Sequence, residues 1–315
     1  TNLASKANQL EQVNISKAGA AVTIGSANSK NSNALQINTA EQINGDLTIT
    51  NYDDKSGKNN AIVVSKSLQA SGNITLTNEE AAIIVNRGAD AAGYDVALDA
   101  KTAMNINGNI IASNDASLNS SAGMTINGNV NARHDASLSS GTGMTINGSV
   151  NATHDASVTA GTDLTVAGSI VSDNATALRA SNIVVHGIVK TTNGTTTLHS
   201  TGDLTLSGAG SVEGANVNVS AGQDFIHNGG TIDAGSVVAT AARNVKLQSG
   251  NMKATNANIT ATSGTITENA GYALNAAALS VAAGQGTSLI SENNKLADVT
   301  IGKNNGVVNI VSGND

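Results

Sequence analysis

Neither proline, cysteine nor tryptophan occurs in the 315 residues, and there are only one phenylalanine and three tyrosines. Proline cannot donate to a strand ladder, so its absence suits a chain made largely of short central strands. Without cysteine no disulfide can staple the fold, although this places the chain in no particular compartment. The shortage of rings argues against an ordinary globular core, where aromatics supply bulk. It also argues against a sugar-cleaving cleft with aromatic platforms. Lysine and arginine number 16 against 23 acidic residues, a net charge of −7. The cations are scattered, and no basic stripe with interleaved aromatics exists, which excludes the usual nucleic-acid surface. No apolar run approaches the length of a membrane-spanning helix.

What the chain does have is a repeat. From Met104 it reads MNINGNIIASNDASLNSSAG, MTINGNVNARHDASLSSGTG and MTINGSVNATHDASVTAGTD, followed by a degraded copy, LTVAGSIVSDNATALRASN. Met104, Met124, Met144 and Leu164 stand 20 residues apart, as do Ile110, Val130, Val150 and Ile170. Units of fixed period bury their apolar faces by stacking on one another. Within Met124–Gly143 the apolar residues alternate with small polar ones as Met124 and Ile126, Val130 and Ala132, Ala136 and Leu138. That is period-2 strand patterning in three short pieces, with no competing helical period. Asn127-Gly128 and Arg133-His134-Asp135 separate the pieces, where Gly tolerates φ > 0 and Asx side chains bond to nearby backbone. The predicted fold is all-β, a right-handed parallel β-helix with about 20 residues per coil. Neighbouring coils would lie about 4.8 Å apart, giving roughly 14 coils and a rod on the order of 65 Å long.

Residues 1–100 are expected to form irregular coils with charged inserts at 51–60 and 86–95. Residues 101–200 read as the regular shaft, and 201–315 as a continuation with drifting period, in one solenoid. The inserts hold Tyr52, Asp53, Asp54, Lys55 and Tyr94, and loops on a rigid scaffold are where contact residues tend to lie. Asp115, Asp135 and Asp155 would stack at one corner about 5 Å apart, with Arg133 nearby. They are weak candidates for a calcium site of the pectate-lyase type. The favoured reading is that each closes a turn by bonding to backbone amides two residues on. His134 and His154 would stack beside them without a closed ligand set. No cofactor, metal or catalytic residue is expected. Asn107, Asn127 and Asn147 read as an asparagine ladder bonded along the stack.

The coil text DASVTAGTDLTVAG (155–168) and SAGQDFIHNGGTIDAG (220–235) resembles the filamentous haemagglutinin family of two-partner secretion exoproteins. The resemblance covers about residues 100–290 well and the first 100 loosely. It implies an internal shaft segment of a secreted or bacterial outer-surface adhesin, exported through an outer-membrane β-barrel transporter. The family's Asn-Pro-Asn secretion motif has no counterpart in a proline-free chain. Expected partners are host-cell, bacterial-cell or matrix surface components, with possible self-association. A self-assembling extracellular filament and a β-helix polysaccharide lyase or hydrolase are the alternatives, the last disfavoured by the missing aromatics.

Overall fold

The computed structural model describes residues 2–3, 5, 8–15, 19–27, 34–39, 42–52 and 60–313. They form a parallel β-solenoid of about 14 turns, with about 20 residues per coil and no helix among the described residues. The chain groups into two compact units, Thr1–Gly161 and Thr162–Asp315.

In the first unit a regular coil has three short strands, as in Ala116–Ser120, Met124–Ile126 and Val130–Ala132. Each pairs in parallel with its counterpart one coil away. Met104 aligns with Met124 and Met124 with Met144, Ile110 with Val130, and Leu118 with Leu138. All of these side chains are buried, and the residues between them face outward. The 20-residue period therefore writes itself directly into a core of like-on-like columns, where close packing needs only matching volume from coil to coil. Toward the amino terminus the steps widen. Val22, Leu47, Ile74, Val96 and Ala116 share one column at steps of 25, 27, 22 and 20 residues.

Segment 86–95, expected as a loop insert, is instead part of a coil. Asp90–Gly93 is a strand paired with Asn109–Ala112, and Ala91 is fully buried. Asp90-Ala91-Ala92-Gly93 has no β-branched or large apolar residue, yet it forms a strand because neighbouring coils supply the ladder bonds.

The Asn-Gly corners are built for a different reason than turn conformation. Gly108, Gly128 and Gly148 are not among the positive-φ glycines. A Cβ on Gly128 would instead lie 1.7 Å from the Gly108 carbonyl oxygen, and one on Gly148 1.8 Å from that of Gly128. The column is glycine because stacked backbones leave no room for a side chain.

In the second unit two faces merge into long bent strands, Phe225–Ala241 and Val245–Ala261, each 17 residues. Their pairing slips at His227–Thr231, where Gly229 (φ 128°) and Gly230 (φ 77°) take left-handed conformations open to glycine. The core here holds both buried large rings, Phe225 and Tyr272. Near residue 300, Val299 and Ile301 pair with the buried Leu279 and Val281 yet are themselves 41% and 52% exposed.

Candidate functional site

One corner of the first unit carries the most varied chemistry. Its column reads Tyr94, Asn114, His134 and His154, linked by amide-to-carbonyl bonds from each residue to the one a coil before it. The next position in each coil is acidic: Asp95, Asp115, Asp135 and Asp155.

Asp95, Asp115 and Asp135 do not cap amides two residues on in their own turn, the bonding expected of this corner. Each caps the following coil. Asp95 Oδ1 accepts from the Asp115 amide (3.1 Å), Asp115 Oδ1 from the Asp135 amide (3.0 Å), and Asp135 Oδ1 from the Asp155 amide (3.0 Å). Asp46 and Asn73 begin the same series, bonding the amides of Asn73 and Asp95. Parallel stacking brings the next coil's amide nearer than the local one, so the turn bond becomes an intercoil bond. The side chain of the preceding residue joins in. Asn114 Nδ2 donates to Asp95 Oδ1 (2.9 Å), while the Nδ1 atoms of His134 and His154 lie 2.9 and 2.8 Å from Asp115 and Asp135 Oδ1. The two imidazoles stack with centroids 4.8 Å apart and planes 3° from parallel. The Asp135 amide and then the His134 ring hold the Asp115 carboxyl below the usual carboxylate range. The bond to Asp115, followed by the surrounding carboxylates, raises the His134 pKa.

Tyr94 is 52% exposed and is the only exposed tyrosine or phenylalanine among the described residues. It borders a shallow groove of about 360 Å³ with Gln42, Gln69, Ser71, Ile111 and Ser113 over a floor at Ala92 and Gly93. No charged residue lines it. Tyr52 is half-buried, its amide bonded to the Ser26 carbonyl (2.7 Å). Asp53, Asp54 and Lys55 lie outside the described residues.

Away from this corner the outward polar groups largely serve one another. Asn127 donates to Asn107 and Asn147 to Asn127, both at 2.7 Å, in the ladder the repeat implies. Asn151 bonds Asn131 and Asn119 bonds Asp99 in the same manner.

The second unit contains a buried polar cluster that sequence reasoning passed over. His227 Nδ1 and the Tyr272 hydroxyl lie 2.7 Å apart, both residues fully buried. His227 Nε2 has no partner at bonding distance; burial pushes the ring down to about 4, the nearby Gly229 and Gly230 backbone offsetting this only in part. Burial also pushes the Glu268 carboxyl up, although its Oε2 accepts from Ser291 N (2.9 Å) and Asn294 Nδ2 (2.8 Å). Tyr272 is driven well above the ordinary phenol range by burial and then by Glu268. The signal was present: in Phe225-Ile226-His227 the period-2 pattern places His227 inward with Phe225. Elsewhere in the same unit the buried Asp224 accepts from Arg243 Nε (2.8 Å) and Lys246 Nζ (2.7 Å).

No protein-family model, curated protein or solved structure matches this chain.

Proposed function

We propose that this chain is a non-enzymatic attachment shaft of a secreted or outer-surface bacterial fibre. In this reading the regular coils give reach, and the Tyr94 groove makes the contact with cell or matrix components. One observation carries it. The surface of the first unit is largely small polar ladders, and Tyr94, the one exposed tyrosine among the described residues, stands beside an uncharged groove of amides, hydroxyls and Ile111. Side chains already bonded to their neighbours offer a ligand little, whereas an exposed tyrosine provides both apolar area and a hydroxyl. The coil resemblance to two-partner secretion exoproteins supports the same reading and adds passage through an outer-membrane β-barrel.

The test is attachment of the purified chain to cells and to matrix-coated surfaces. Tyr94→Ala should lower it about tenfold or more, as loss of an aromatic anchor does. Deleting the coil Met124–Gly143 should leave it unchanged. Normal attachment by Tyr94→Ala with loss in the coil deletion would move the binding surface onto the shaft.

Self-association into a filament is the second reading. Val299 and Ile301 favour it, since they extend a buried column yet stand exposed. Electron microscopy separates the two: discrete short particles support the attachment shaft, long regular fibres the filament.

A further inference from the structure

The carboxylates of the His-Asp corner are not an oxygen-only array. Calcium takes six to eight oxygen ligands, but here an imidazole nitrogen is set against each of two carboxylates. Asp135 is the hub: its Oδ2 lies 3.5 Å from His134 Nδ1 and its Oδ1 2.8 Å from His154 Nδ1. One ligand atom from each of the three residues falls within 4.8 Å of the others. We propose that His134, Asp135 and His154 form a binding site for one borderline divalent transition ion of the zinc class, with solvent completing the coordination.

Donor type and geometry both point there. Two imidazoles and a carboxylate are the ligand classes such ions prefer over magnesium or calcium. Metal–ligand bonds of about 2.0–2.1 Å in a tetrahedron set ligand–ligand edges of roughly 3.4 Å. The 3.5 and 2.8 Å separations run to different oxygens of Asp135, so the half-exposed carboxyl must turn to present one of them to both nitrogens. The stacked rings are wider apart and must tip toward each other. Their side chains are 50% and 46% exposed, so the movement meets solvent, not core. The backbone beneath is held in place: His134 N bonds Asn114 O (3.0 Å), His154 N bonds His134 O (3.1 Å), and Asp115 caps the Asp135 amide. Asp115 and Asp155 flank the hub and add negative charge that favours a dication. The site is also confined. One coil earlier the same position is Asn114, whose amide donates to Asp95 and offers no imidazole.

That neighbouring coil supplies the control. His134→Asn and His154→Asn each recreate the Asn114–Asp95 arrangement, so both variants are expected to fold. Calorimetric titration of the full chain with zinc chloride should give one ion per chain for the wild type. Either Asn variant should weaken binding by about tenfold or more, a loss of the size seen when metal-site hydrogen-bond partners are removed. His186→Asn, altering an exposed histidine that pairs with Ser207, should bind as wild type does. Cobalt(II) should give the visible absorption of a low-coordinate N/O site in the wild type and lose it in both corner variants. Calcium chloride should give no saturable heat. Zinc binding that stays within twofold of wild type in both corner variants overturns the assignment. So does the absence of saturable zinc binding below about 1 mM, the weak end of specific affinity.

Discussion

At the residue scale, two perturbed groups of the second unit make opposite use of burial. His227 is kept neutral in the core, with its pKa lowered from 6.5 to about 4. Asp224 is kept charged by Lys246, Arg243 and Asn244, which outweigh its desolvation and lower it from 3.8 to about 2. In both cases the unfolded chain takes up a proton that the folded chain refuses, so stability falls as pH drops. For His227 the window is pH 6.5 to about 4, worth ~3 kcal/mol in full; for Asp224 it is 3.8 to about 2, worth ~2 kcal/mol. Glu268 has the reverse sign: its raised pKa stabilises below 4.5, and that contribution is lost as pH rises through the folded value. His227→Leu leaves the Tyr272 hydroxyl unpaired, a cost of about 1–3 kcal/mol that does not vary across this acid range. The variant should therefore melt lower at neutral pH but lose less stability than wild type between pH 6.5 and 4. Denaturant titrations across that range read the slope. A wild-type slope in the variant would mean that His227 is not the acid-sensitive group.

At the element scale, the coil tolerates change only where its columns leave room. Met124 and Leu138 are 2% and 1% exposed, each between like residues. Met124→Asp or Leu138→Asp should open the first unit locally, because an unpaired buried charge costs several kcal/mol. Gly128→Ala is a finer probe. Its Cβ would meet the Gly108 carbonyl at 1.7 Å, backbone that cannot swing aside, so a loss of about 1–3 kcal/mol or more is expected. If conformational freedom alone were at stake, alanine at this ordinary φ would instead be neutral or slightly stabilising. Thermal melting followed by circular dichroism distinguishes the two accounts by the sign of the change. Asn127→Ala removes two exposed ladder bonds and should cost about 1 kcal/mol.

At the scale of the whole molecule, stability in a repeat array is close to a sum over units and their interfaces. Deleting Met124–Gly143 removes one full period and brings Met104 against Met144 with every column in register. The shortened chain should fold with unchanged strand content and a small shift in melting midpoint. Removing ten residues, half a period, should instead mismatch inward and outward positions and abolish cooperative melting. Equal tolerance of both deletions would show that intercoil register does not hold the array together. Full-period deletion also removes His134 and Asp135, so it should abolish zinc binding while leaving Tyr94-dependent attachment intact, separating the two sites in one protein.

The 20-residue columns, the inward Met, Ile, Val and Leu positions and the asparagine ladder were legible in the amino-acid order, because a strand's period of two and a coil's period of twenty leave few ways to bury those side chains. The stack of Asp115, Asp135 and Asp155 was legible for the same reason. Its bonding was not. Whether an Asx oxygen reaches an amide in its own turn or in the next coil depends on an intercoil distance set by the ladder, which no local pattern encodes. Gly128 looked like a turn residue and is a contact residue. Segment 86–95 looked like a loop and holds a strand, since its pairing partner lies a full coil away. Tertiary structure alone placed Tyr94 in the same column as His134 and His154. It also put Tyr272 beside His227, 45 residues earlier, because stacking turns distance along the chain into adjacency along the solenoid.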